Sequence, residues 1–293
     1  SKMGNTIELT EVPLSDYAYI IPYDDYYAPA FLFFLQQNGA VVKTSAKEFS
    51  IEANGEGRYF NRGALMVPVG DQFDIDKEAL HELINEGSRK FEVQAYAVNT
   101  GLTIKGNGLG SESFLTLEKP RAMMIVEGTV SSYEAGEVWH LFEERMKMPL
   151  VKVPERLFNR TDLTRYNVIV MVSGGYTLLN KKEKDRLSAW VSDGNTLITI
   201  ATASDWAIKQ KIVQEALIDA KKDSVSDNER MNYGTYEASI GKQQMGGAIF
   251  GVDLDLTHPI GFGYTDRSVP VYKNNRVWLS PSKNIFSTVA RYQ

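Results

Sequence analysis

The chain has 293 residues, of which 43% are hydrophobic and 24% are charged, a composition typical of folded proteins with one large or two modest domains. It contains no cysteine, which excludes disulfide bonds, thiolate metal sites and a cysteine nucleophile. The 32 basic and 37 acidic residues give a net charge of −5 and are well mixed, so we expect no nucleic-acid partner.

The chain shows no pattern that predicts a membrane segment. No apolar run approaches the roughly 18 residues that a spanning helix needs. Residues 1–11 lack the basic and then apolar pattern of a signal peptide, so we expect no signal peptide within this chain.

In the first part of the chain, short apolar runs alternate with amphipathic stretches. The runs predict strands at residues 18–23, 41–42, 64–69 and 93–98. Between them, helices are expected at 29–39 and 76–87, each ending at a glycine. Such a βαβ series favours a mostly parallel sheet with helices on its faces.

The same alternation returns after residue 120. Strands are expected at 122–126, 150–153, 168–172 and 196–201. Helices are expected at 131–146 and 180–194, each opening with the spacing of a capping box, Ser131 with Glu134 and Asn180 with Glu183.

The two series share one spacing. Ala18 and Ala122 are 104 positions apart, as are Ala64 and Val168, and each opens a predicted strand. We therefore predict an α/β protein of two tandem doubly wound units with mostly parallel sheets. The first unit would span 1–118 and the second 119–293, and one continuous sheet is the alternative.

The tail beyond residue 246 carries shorter strand patterns with glycine and proline between them. They fall at residues 247–252, 269–272, 276–279 and 289–292. We expect these strands to complete the edge of the second unit's sheet.

Open α/β sheets bind ligands beyond the carboxyl ends of their strands. In the second unit these ends supply Glu127 and the run Ser173, Gly174 and Gly175 as candidate ligand-binding residues. The glycine pair allows a backbone turn whose N–H groups can hold an anion or a carbonyl oxygen. A tight turn from strand to helix is the purely structural alternative.

Three segments of the second unit carry a resemblance to a known superfamily. The residues at 168–175, 190–194 and 196–200 resemble the class I glutamine amidotransferase-like superfamily, which is flavodoxin-like in fold. The resemblance implies a sharp turn after the strand at 196–200, where catalytic members hold a cysteine served by a later histidine. Here the turn reads Ala201 to Trp206, so the thiolate reaction is not expected.

A second resemblance covers most of the chain. Its segments lie at residues 26–29, 67–72, 110–111 with 120–121, 130–139 and 255–259. They are similar to the region after the peptidase domain in large exported M14-type zinc carboxypeptidases of Bacteroidetes-like bacteria. The resemblance implies an accessory module, periplasmic or extracellular, whose partner is the peptidase domain of the same polypeptide, and we expect this module to be noncatalytic. Zinc would belong to that parent domain, and no cofactor is expected in this chain.

One motif invites a metal-binding interpretation. His140 and Glu143 have the His-x-x-Glu spacing of a first zinc motif. They fall inside a helical pattern, and the chain ends 35 residues after His258, so we predict a surface helix and no metal site.

Two other functions remain open at this stage. A weak hydrolase would use Thr202 or Ser204 as nucleophile and His258 as base, with Asp253 or Asp255 to orient it. A carbohydrate- or peptide-binding module is favoured by the 15 tyrosines and 4 tryptophans, and its ligand would be a small molecule, a peptide or a glycan.

Overall fold

The computed structural model describes residues 9–218, 232–235 and 247–293. The chain divides into two compact units. The first comprises Ser1–Pro120, His140–Met148 and Asp255–Asp266. The second comprises Arg121–Trp139, Pro149–Leu254 and Arg267–Gln293. None of the helices in the described part of the chain has the length and apolar character needed to cross a membrane.

The first unit is built on an antiparallel sheet. Its elements are β1 (Ala18–Ile21), α1 (Ala28–Gln37), β2 (Lys43–Ser45), β3 (Phe49–Ala53), β4 (Glu56–Phe60), β5 (Leu65–Pro68), α2 (Lys77–Phe91), β6 (Tyr96–Val98) and β7 (Phe114–Thr116). Five strands form one sheet in the order β6-β1-β5-β2-β7, and every pairing in it is antiparallel. Strands β3 and β4 form a separate antiparallel pair.

The prediction of a parallel, doubly wound first unit is therefore wrong. Every residue of β1 and β5 is buried, because both faces of the sheet are covered. Tyr19 and Ile21 face a core shared with α1 and α2, whereas Ile20 faces a core that includes Phe49 and Ile51 of β3. A continuous apolar run therefore indicates a strand that is buried on both faces of its sheet, but it does not indicate whether the strand pairs parallel or antiparallel.

Helix α2 also runs further than predicted. Gly87 was expected to end it, but the helix continues to Phe91 and ends where Glu92 adopts φ 57°. A Cβ at Gly87 would lie 2.0 Å from a ring carbon of Phe31. The absence of a side chain at Gly87 therefore allows α1 and α2 to pack closely.

The second unit contains the predicted parallel sheet. Its elements are β8 (Ala122–Val126), α3 (Ser132–Trp139), β9 (Leu150–Pro154), β10 (Val168–Met171), α4 (Lys181–Ser192), β11 (Thr196–Thr199), α5 (Thr202–Lys209), β12 (Ala248–Leu254), β13 (Ser268–Lys273) and β14 (Ala290–Tyr292). Four parallel strands lie in the order β11-β10-β8-β9. Numbered along the chain and listed from the other edge, this is 2-1-3-4, the order of flavodoxin-like sheets.

Helix α4 begins as predicted and helps to cover the sheet. Asn180 accepts hydrogen bonds from the N–H groups of Lys182 and Glu183, and the Glu183 carboxylate accepts from the Asn180 N–H, which confirms the capping box. Leu187 and Trp190 of α4 share a core with inward-facing residues of β8 and β10.

The tail does not extend this parallel sheet. Strands β12, β13 and β14 form their own antiparallel sheet in the order β13-β12-β14. The run at 276–279 is not a strand, and Leu279 makes only an isolated bridge with Leu217. The predicted duplication is likewise limited to strand positions, because β1 and β5 pair antiparallel whereas β8 and β10 pair parallel.

Candidate functional site

Two of the predicted site segments lie at neighbouring strand ends in the second unit. Glu127 follows β8, and Ser173 to Gly175 follow β10, which pairs directly with β8. The strand order reverses between these two strands, so this edge is the switch point where open α/β sheets bind ligands. Glu127 and Gly128 have φ values of 69° and 62° and turn the chain sharply away from β8.

The backbone N–H groups of the glycine turn already have acceptors within the chain. The Ser173 N–H donates to Glu134 Oε2 at 2.8 Å, and the Gly174 N–H donates to Thr202 Oγ1 at 3.2 Å. The Gly175 N–H donates to Thr129 Oγ1 at 2.9 Å. The donors expected to hold an anion are therefore bonded to the protein's own side-chain oxygens.

The sequence patterns do not predict that these side chains would supply the acceptors. Ser131 Oγ accepts the Glu134 N–H at 3.4 Å, which is the first half of the predicted capping box. The Glu134 carboxylate accepts the Ser173 N–H across the sheet edge. The capping-box spacing identifies Glu134 as a residue of the first helical turn, but it does not predict that its carboxylate accepts a hydrogen bond from a neighbouring loop.

Glu155 lies beneath the same edge and is 2% exposed. Its Oε1 accepts the Leu178 N–H at 2.7 Å, while no hydrogen-bond donor among the described residues reaches its Oε2. A Cβ at Gly128 would lie 2.4 Å from that oxygen, so the glycine is required by close contact as well as by its positive φ. Burial, and then the charges of Glu155 and Glu134, raise the pKa of the Tyr176 phenol.

The turn between β11 and α5 has a strained backbone. Ala201 adopts φ 51° and ψ −119°, a region that side-chain-bearing residues rarely occupy, and it is the N-cap of α5. A sharp, strained turn from strand to helix is the arrangement that presents the nucleophile in α/β-hydrolases. Here the presented side chain is a methyl group.

The other hydrolase candidates are engaged in local hydrogen bonds. Ser204 Oγ lies 3.0 Å from Thr199 Oγ1 and donates to the Thr199 carbonyl at 3.1 Å. Thr202 Oγ1 accepts the Gly174 N–H. His258 Nδ1 accepts the Ile260 N–H at 3.2 Å and caps a short 3-10 turn.

The hydrolase candidates are also divided between the two units. Thr202, Ser204 and Asp253 lie in the second, whereas His258 and Asp255 lie in the first. The two possible orienting carboxylates have local partners, because Asp253 pairs with Arg267 at 2.9 Å and Asp255 accepts from the backbone and hydroxyl of Thr257.

A cavity of about 660 Å³ lies beside the strained turn, within the second unit. Ala201 and Ser204 line it together with residues of the C-terminal sheet and of the segment between β13 and β14. Its apolar lining includes Val252, Val271, Val277, Leu279 and Tyr292, and its charged lining among the described residues consists of Glu215, Lys273 and Arg291. The volume is within the range of small-molecule sites.

Lys273 is the buried cation of this cavity. Lys273 is 5% exposed, and its Nζ donates hydrogen bonds to Asn275 Oδ1 at 2.8 Å and to the Val277 carbonyl oxygen at 2.6 Å. The ammonium also lies 4.5 Å from the centre of the Trp278 ring. Burial lowers the pKa of the Lys273 ammonium.

His140 and Glu143, the residues of the zinc-like motif, lie in a single π-helical stretch, His140–Arg145. In the part of the chain that the structure describes, no group of three or more histidine, aspartate or glutamate side chains is placed to hold a metal ion.

Comparison with protein-family models, with curated proteins and with solved structures gave no match to this chain.

Proposed function

We propose that the chain is a noncatalytic module whose second unit has an amidotransferase-like fold and lacks the nucleophile. The observation that carries this proposal is Ala201, an alanine in the strained backbone conformation at the head of α5. Strain of this kind costs about 1–3 kcal/mol and is characteristic of functional turns. The turn therefore has the geometry of a nucleophile site without a group that can attack a substrate.

The order of the parallel strands supports the same proposal. The 2-1-3-4 arrangement is that of the flavodoxin-like fold, to which the class I amidotransferase-like superfamily belongs. The local hydrogen bonds of Thr202 and Ser204 favour structural roles for these hydroxyls over roles as substitute nucleophiles.

We further propose that the module is the accessory portion of an exported zinc carboxypeptidase. The support is the sequence resemblance spread over residues 26–139 and 255–259. In this role the chain would stabilise the peptidase domain or bind a ligand or partner for it. It would supply no zinc ligand and cleave no peptide bond by itself.

The accessory role is tested by recovering the reading frame that encodes this chain and expressing it with and without residues 1–293. We expect an upstream peptidase domain with a complete zinc-ligand set, and a lower midpoint of thermal unfolding for that domain once the module is removed. The isolated chain should retain no stoichiometric zinc and release no C-terminal amino acid from peptides. One tightly held zinc per isolated chain, or a reading frame without a peptidase, would contradict the accessory role.

Ligand binding without catalysis is a second candidate function that one observation favours. Phe250 of β12, Tyr292 of β14 and Trp278, which lies outside the strands, form a cluster of rings with centroids 5.2 to 6.1 Å apart. Tyr292 is 46% exposed and lines the cavity beside Ala201. An aromatic ring in the wall of a cavity of this size supplies an apolar surface for a ligand.

A further inference from the structure

We infer that the cavity beside Ala201 binds a ligand that carries a carboxylate on an apolar body, with Lys273 as the residue that receives the carboxylate. This inference specifies a ligand class for the second candidate function, and it does not depend on attachment to a peptidase. It rests on the charge, burial and lining of the cavity.

First, the buried ammonium group of Lys273 is bonded to neutral acceptors. An ammonium group has three hydrogen-bond donors, and the described residues supply two neutral acceptors, Asn275 Oδ1 and the Val277 carbonyl. No carboxylate in the described part of the chain forms an ion pair with Nζ. Burying a cation without an anionic partner is unfavourable, so a ligand anion at this position would gain a strong, partly desolvated interaction.

The second step is the rest of the charged lining. Glu215, a carboxylate that lines the cavity, accepts a hydrogen bond from the hydroxyl of Ser282 at 2.7 Å. Arg291 adds a second cation to the wall. Within residues 9–218, 232–235 and 247–293, two cations and one anion line the cavity, which favours a ligand with a single negative charge over a cationic one.

The third step is the shape and polarity of the remaining wall. Valine, leucine, proline and alanine side chains from 201 and 252–290, together with Tyr292, form its apolar part. Such a wall suits an aliphatic or aromatic body, and the hydroxyls of Ser280 and Thr288 add polar contacts to the lining. A small apolar acid and the C-terminal end of a peptide both satisfy this description.

The experiment compares each acid with its neutral amide. Binding of 4-phenylbutyrate, 4-phenylbutyramide, N-acetyl-alanyl-phenylalanine and its C-terminal amide to the whole chain is measured by isothermal titration and ligand-detected NMR. We expect an acid to bind at least about tenfold more tightly than its amide, the discrimination of a charge-assisted hydrogen bond. Binding of both acids indicates a small apolar acid, and binding of the dipeptide acid alone indicates a peptide C-terminus.

Three variants locate the site. Lys273→Met keeps most of the aliphatic stem and should abolish the preference for acid over amide, whereas Lys273→Arg should restore part of it. Lys182→Met, at an exposed lysine of α4, is the matched control and should bind like the unaltered chain. Ser287→Trp, in a loop that lines the cavity, should block both acids and amides.

The acid–amide comparison in the unaltered chain needs no variant, so it tests the inference even if Lys273→Met does not fold. Equal binding of acid and amide, or no binding of any probe, would overturn the inference. Retention of the preference in a folded Lys273→Met variant would also overturn it. These outcomes leave the noncatalytic proposal unaffected, because that proposal is tested by activity and by the chemistry of position 201.

Discussion

Replacement of Ala201 with glycine should stabilise the second unit or leave its stability unchanged. An alanine-to-glycine change usually destabilises a protein by roughly 0.5–1 kcal/mol, because glycine loses more conformational entropy on folding. At Ala201, φ 51° and ψ −119° impose strain of about 1–3 kcal/mol that glycine would relieve. The balance of these two terms is a net stabilisation of about 0–2 kcal/mol.

Ala189→Gly is the matched control. Ala189 is exposed in α4, where the same substitution should cost about 1 kcal/mol. The two variants should therefore differ by about 1–3 kcal/mol in the free energy of unfolding. Equal destabilisation of both variants would refute the argument that the turn is strained.

Urea unfolding followed by tryptophan fluorescence measures this difference in the relevant unit. All four tryptophans, at 139, 190, 206 and 278, belong to the second unit. The signal therefore reports the unfolding of the second unit, and the midpoint and slope of the transition give its free energy of unfolding.

The same urea assay tests three further predictions. Gly128→Ala should destabilise the second unit by about 1–3 kcal/mol more than Gly194→Ala. Both glycines have positive φ, but only a Cβ at 128 would clash with Glu155. Equal decreases in the free energy of unfolding would contradict this prediction. Asn180→Ala should cost about 1 kcal/mol through loss of the capping box, and an unchanged midpoint would count against that role. The pKa of the Tyr176 phenol is raised in the folded protein, so this phenol stays protonated at a pH where the phenol of the unfolded chain ionises. Its contribution to stability is therefore present below about pH 10 and is lost as the pH rises above that value. Tyr176→Phe should weaken this loss of stability at alkaline pH, and an identical pH profile of the two proteins would contradict the prediction.

The sequence predicted the second unit better than the first for a physical reason. Residues 122–126 and 168–171 are apolar runs followed by well-capped or glycine-terminated helices, and both became parallel strands. Residues 18–21 and 65–68 look the same in sequence but pair antiparallel. In the first unit the β3–β4 pair covers the face of the sheet that a second layer of helices would cover in a doubly wound unit, and the apolar runs do not record this.

The candidate site was predicted only as far as local patterns reach. The turns after β8 and β10 were identified from glycines and strand ends, and they do lie side by side. Their N–H groups are bonded to Thr129, Glu134 and Thr202, which depends on tertiary placement that no spacing records. The cavity joins Ala201 to residues up to Tyr292 through the antiparallel pairing of the tail, which the strand patterns did not specify.

The most direct test of the central claim is the reactivity of a cysteine placed at position 201. The unaltered chain has no cysteine, so the thiol of Ala201→Cys would be the only one present. This thiol would lie at the N-terminus of α5 and line the cavity. The rate of its alkylation by iodoacetamide should therefore rise with a pH midpoint below the usual thiol pKa of about 8.5.

Ala189→Cys, at an exposed position of α4 outside the cavity, is the control and should show an ordinary midpoint. A lowered midpoint at 201 alone would support a nucleophile turn that has lost its nucleophile. Indistinguishable midpoints and rates for the two variants would contradict that account.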